Sequence, residues 1–147
     1  MVEGSALSIN YKIALRQPDE SVEVSVSVPN GGWDENYPTI EALCQQSVEA
    51  ALNVNVLGTH SIEVSVVLAD DKMLRALNRD KRGIDRATNV LAFPGDSIEE
   101  AMASGVPCLL GDIVLAYETI AREAFEVGMA FEDRLVHLIV HGTLHLL

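Results

Sequence analysis

The stretch Leu109-Leu110-Gly111-Asp112-Ile113-Val114-Leu115-Ala116 decides the architecture. It is apolar at both odd and even positions, so it reads as a strand covered on both faces, the kind found in the middle of a sheet. Asp112 is the exception, and a carboxylate there must be paired or sit at an exposed end. Ser21 to Val28 alternates Val22, Val24, Val26 and Val28 with Ser21, Glu23, Ser25 and Ser27, the period of a strand with one wet face. Ile62, Val64, Val66 and Leu68 repeat that period. Thr88 to Phe93 is the remaining strand, stopped by Pro94-Gly95. Ile9, Tyr11, Ile13 and Leu15 alternate more weakly and suggest an edge strand or an arm.

Helical spacing fills the gaps. Ile40, Leu43, Cys44, Val48, Ala51 and Leu52 form an apolar stripe from Pro38 to about Val54. Asp70 is suited to cap a short helix carrying Met73, Leu74 and Leu77, followed by a polar stretch from Asn78 to Arg86. Residues 95–107 read as a long loop with room for one helical turn, because Ser97 and Glu100 have capping-box spacing. Tyr117 to Gly128 and Phe131 to the end are helical. The order β-α-β-α-β-β-α-α predicts an α/β (α+β) fold, a single mixed sheet of about four strands packed with helices. A chain of 147 residues is one domain's worth, so residues 1–147 are read as a single domain.

Composition excludes several classes. The chain is 48% hydrophobic and 22% charged, which suits a globular domain. Its net charge of −12 disfavours bulk binding to nucleic acid or anionic membrane. There is no apolar run of membrane-spanning length and no secretory signal, so a cytoplasmic location is expected. Cys44 and Cys108 form no CxxC pair and read as small buried hydrophobes. The glycines at 31, 32, 95 and 105 read as turns, and Glu118 and Glu123 as solvated.

Two constellations carry chemistry. Apart from His60, every histidine lies on the last helix, as His137, His141 and His145. Imidazoles four residues apart share a helix face and can reach one divalent metal. His137 and His145 stand about 12 Å apart along the axis, so a shared site takes His137/His141 or His141/His145. The second constellation is charge. Residues 72–86 hold six of the ten bases and two acids, a local +4 on a body that is otherwise −16. A basic island on an acidic body is the footprint of a grip on phosphate. Arginine outnumbers lysine within it, which suits bidentate contacts.

Three separated motifs resemble one family. His141-Gly142-Thr143-Leu144-His145-Leu146-Leu147 is similar to the front of the H-G-x-L-H-L-x-G-Y-D-H signature of YbeY-type bacterial proteins. Thr88-Asn89-Val90-Leu91-Ala92-Phe93-Pro94 resembles their T-[DN]-V-L-S-F-P strand, with Ala92 in place of Ser. Leu110-Gly111-Asp112-Ile113 resembles their L-G-D-I strand. Order and spacing agree from about Glu20 onward. The resemblance implies a single-strand-specific, metal-dependent endoribonuclease acting in ribosomal RNA maturation and ribosome quality control. It also implies an α/β fold whose metal-site helix is similar to that of zinc peptidases. It makes His141 and His145 metal ligands, with zinc the expected ion, and Arg82 the functional arginine. His137 would brace those ligands or substitute for one. The family's third ligand falls ten residues after His141, beyond Leu147. With Leu146-Leu147 an uncapped apolar helix end, the natural helix is expected to continue and this sequence to be incomplete at its C-terminus.

The expected mechanism is metal-assisted phosphodiester cleavage, with Arg82 stabilising charge on the phosphate. Arg75, Arg79, Lys81 and Arg86 would track the RNA backbone. Partners are single-stranded RNA, ribosomal RNA and the ribosome or its proteins, with no membrane and no DNA specificity. With few aromatics, base stacking and sequence preference should be limited. Two other classes fit parts of the pattern: a non-catalytic ribosome-assembly or RNA-binding factor with a structural metal, and a metal-dependent hydrolase of peptides or small molecules. Gly142 stands where a zinc-peptidase HExxH has its glutamate base, which weighs against the latter.

Overall fold

The computed structural model describes residues 22–30, 32, 33, 39–54 and 61–147. The weak alternation over Ile9 to Leu15, Gly31 and His60 lie outside the described residues. Chain order is β1 (Val22–Ser27), α1 (Ile40–Val54), β2 (Ile62–Ala69), α2 (Asp71–Arg82), β3 (Val90–Pro94), α3 (Ile98–Ser104), β4 (Cys108–Ala116), α4 (Tyr117–Val127) and α5 (Phe131–Leu146). The strands form one sheet in the order β1-β2-β4-β3. β1, β2 and β4 run parallel and β3 runs antiparallel to β4. The doubly apolar strand is therefore interior, as its pattern predicts.

Its two faces are covered differently. Val64, Val66, Leu68, Leu110, Ile113 and Leu115 meet Cys44, Val48 and Leu52 of α1 and Leu135, Leu138, Ile139 and Leu146 of α5. On the other face Leu74 of α2 joins Ala69, Leu91, Val114 and Ala116. Trp33 closes the main core: its indole N–H donates to the Ala69 carbonyl at 2.7 Å, and its ring meets Tyr117 and Phe131 edge-on. Cys44 and Cys108 are both buried, and burial beside Glu41 pushes the Cys44 thiol up to about 12, so it is inert at neutral pH.

Two expectations change. Residues 98–104 form a whole short helix rather than a loop with one turn, and the Ser97 hydroxyl accepts from the Glu100 amide at 3.3 Å. The helix after Asp70 also runs on to Arg82, into the polar stretch that follows Leu77. The reason is Asn78, which takes the buried slot four residues after Leu74 and is 2% exposed. Its amide donates to the Arg86 carbonyl at 2.9 Å, folding the following turn back onto the helix. A polar residue in an apolar slot erases the periodicity that marks a helix.

Gly111 carries the junction of β3 and β4. Its φ is 150°, and a Cβ there would run into the Phe93 carbonyl. Only glycine lets the edge strand β3 lie this close to the interior strand.

Candidate active site

A cleft of about 730 Å³ opens between α5, β3 and the C-terminal end of α2. Helix α5 supplies Arg134, His137, Leu138, His141, Gly142 and His145. Residues Asn89 to Pro94 form the second wall, and Lys81 and Arg82 the third. All three histidines on α5 are exposed on the cleft side. The His141 and His145 ring centroids lie 4.4 Å apart at 68°. Burial holds the His141 imidazole below its ordinary range, with the charges of His145 and His137 adding to the effect. At neutral pH His141 is therefore neutral, with a ring nitrogen lone pair available. The pair fits two positions of a divalent metal's coordination shell. Among the described residues no group of three His, Cys, Asp or Glu side chains converges to hold such an ion.

Gly142 is a packing residue. A Cβ at this position would stand 3.1 Å from Cγ2 of Ile113, because α5 lies directly on the sheet there. A side chain at 142 points toward β4, so a glutamate in this place would be driven into the core. The cleft lining includes no carboxylate among the described residues.

The structure divides the basic island. Lys81 and Arg82 face the cleft, and Arg82 Nη1 donates to the buried Asn78 Oδ1 at 3.3 Å. Arg75 and Arg86 line a separate shallow groove with Lys72, Asp71 and Asp85. Arg75 is paired with Asp85 at 2.8 Å, and this bond holds the Asp85 carboxyl below its usual range. Arg79 is paired with its neighbour Asp80 at 3.1 Å, at the surface. Of the six bases of the island, Lys81 and Arg82 line the cleft with the histidines, and Arg75 and Arg86 line the separate groove. Asp112 is exposed on the opposite face of the sheet and does not reach the cleft.

Glu118 and Glu123 are not simply solvated. Glu118 accepts from the Asp71 amide at 2.8 Å, tying α4 to the start of α2. Glu123 Oε1 accepts from Arg134 Nη2 at 2.8 Å and Nε at 3.2 Å, and from Asn89 Nδ2 at 3.0 Å. Burial pushes its carboxyl up, but the bonds from Asn89 and Arg134 and the charges of Arg134 and Arg122 outweigh this and leave it below the usual range. The network joins β3 to α5 at one end of the cleft. Arg134, Asn89, Glu123 and Asn78 are the residues that sequence reading missed. Asn89 stands inside the T-N-V-L motif, and Arg134 falls one helical turn before His137; these were the available signals. Trp33 is buried, and Phe93 is the Phe, Tyr or Trp residue in the cleft wall.

A family model described as Endoribonuclease YbeY matches residues 29–147. A protein named Endoribonuclease YbeY from Paramagnetospirillum magneticum is 44% identical over 128 residues, covering 86% of this chain and 78% of its relative. A protein of the same name from Rhodospirillum rubrum is 42% identical over 136 residues, covering 88% of this chain and 68% of the other. The solution structure of TM1509 from Thermotoga maritima matches the fold with a TM-score of 0.55 at 24% identity, over 84% of this chain and 71% of that one. With the family model spanning most of the sequence and relatives of this similarity covering most of both chains, the chain belongs to the YbeY endoribonuclease family.

Proposed function

We propose that the chain is a zinc-dependent endoribonuclease that cuts single-stranded RNA in the α5–β3–α2 cleft and serves ribosomal RNA maturation in the cytoplasm, in contact with the ribosome. The observation that carries the reading is that Arg82 and Lys81 share one cleft with His137, His141 and His145. A cation pair facing imidazoles suits a phosphodiester better than a peptide, and the core-facing Gly142 leaves a peptidase without its base. At about 730 Å³ the cleft suits a short run of one strand.

His141 and His145 would hold the metal, which when bound supplies an activated water and polarises a phosphoryl oxygen. Arg82 donates from its guanidinium to the phosphate oxygens, where charge grows in the transition state. Asn78 fixes Nη1 of that guanidinium and leaves the other nitrogens for substrate. Lys81 adds a cation at the same rim. His137, one turn from His141, would brace its neighbour or substitute for a ligand. Arg75 and Arg86 would guide the strand outside the cleft, and Arg79 would contribute at the surface between.

The test is Arg82→Ala in zinc-supplemented protein, comparing urea midpoint with cleavage of single-stranded RNA. An exposed arginine should change stability by only about 0.5 kcal/mol. Loss of a transition-state charge contact should slow cleavage about 10²-fold. Full retained activity, or unfolding, rejects the role.

A further inference from the structure

Arg134 belongs to none of the family motifs quoted above, yet it begins the stripe that they end. Arg134, His137, His141 and His145 are spaced by three, four and four residues, one face of α5, and all four line the cleft. The Arg134 side chain is 24% exposed and its Glu123 partner 29%. Glu123 takes Nε and Nη2, and Asn89 from the facing wall donates to the same carboxylate at 3.0 Å and 3.3 Å. Nη1 has no hydrogen-bond partner among the described residues.

This arrangement sets a guanidinium in place before any ligand arrives. A free arginine loses much rotamer freedom when it grips an anion, and a tethered one has already lost it. Because Glu123 offsets the charge, the pair exerts little long-range pull. What it offers is a donor edge at a fixed place. Along the helix that place is about 10 Å from His141 and about 16 Å from His145, at 1.5 Å per residue. A stacked strand rising roughly 3.4 Å per nucleotide covers the distance in about three to five nucleotides.

We propose that Arg134 is a positioning residue for the substrate strand. Its guanidinium, held by Glu123 and Asn89, takes a backbone phosphate about three to five nucleotides from the phosphate at His141 and His145. This rests on the endoribonuclease reading, and it adds a second fixed point that sets where along a strand the cut falls.

The experiment measures binding of labelled single-stranded RNA to the full chain by fluorescence anisotropy, with no metal added. A dinucleotide is too short to join the two points and a decanucleotide spans them. Arg134→Gln should weaken the decanucleotide about tenfold, the scale of one charge-assisted contact, and leave the dinucleotide within about twofold. Arg134→Lys, which keeps the charge without the fork, should recover part of the loss, and it carries the test if the glutamine variant fails to fold. Equal weakening of both oligonucleotides, or none of the longer one, overturns the role of Arg134. Wild-type protein that does not bind the decanucleotide overturns the endoribonuclease reading itself, and the proposal with it.

Discussion

Replacing Glu123 by Gln removes one negative charge and leaves three donors facing a neutral amide. In the native protein those donors are Arg134 Nη2 at 2.8 Å, Arg134 Nε at 3.2 Å and Asn89 Nδ2 at 3.0 Å, all on one oxygen. Hydrogen bonds to a charged group contribute about 1.5–3 kcal/mol, but glutamine keeps one acceptor and the site is partly wet. A net loss of about 1–2 kcal/mol at neutral pH follows, which is a fall in urea midpoint of about 0.5–1 M at an m-value of about 2 kcal/mol/M. The pH dependence is the sharper part. The folded-state pKa of Glu123 lies below its unfolded value, so the stabilisation is complete above the unfolded value of about 4.3. It is lost as pH falls through the lowered folded value. Wild type and Glu123→Gln should therefore differ at pH 7 and converge in stability in strong acid. Urea titrations followed by circular dichroism across pH 2.5–7 read this directly. Equal midpoints at pH 7, or a gap that does not narrow in acid, would refute the reasoning.

Asn78→Ala should cost about 1–3 kcal/mol, because it leaves the Arg86 carbonyl without its 2.9 Å bond and frees Arg82 from its anchor; a urea midpoint together with a cleavage assay checks both effects, and loss of neither would show that the anchor is idle. Gly142→Ala gains about 1 kcal/mol of helix propensity but forces a contact at 3.1 Å with Ile113, so the net is a loss of about 0–2 kcal/mol and a lower Tm. A raised Tm would show that Ile113 yields to the added methyl without cost.

Much of this fold is legible because its strands obey simple periods. The alternating valines of β1 and the doubly apolar run of β4 give position in the sheet as well as existence. Caps are local, so Asp70 and Ser97 mark helix starts from a few residues. The histidine stripe is equally local, and so is the concentration of bases. What is not legible depends on pairs distant in sequence. Asn89 meets Glu123 across 34 residues, a contact for which no spacing rule exists. The division of the basic island depends on which way each side chain leaves α2 and on the acids Asp80 and Asp85, which claim Arg79 and Arg75. Asn78 hides because a buried amide breaks the apolar pattern while completing the helix that the pattern should reveal.

Whether RNA is cut at the histidine face of α5 is decided by His145→Ala beside Arg122→Ala, a base on α4 outside the cleft. The two variants and wild type are titrated with zinc by calorimetry and then assayed for cleavage of one single-stranded RNA. His145→Ala should lose both zinc binding and cleavage, and Arg122→Ala should keep both. Cleavage by His145→Ala at the wild-type rate would contradict a cut at that face.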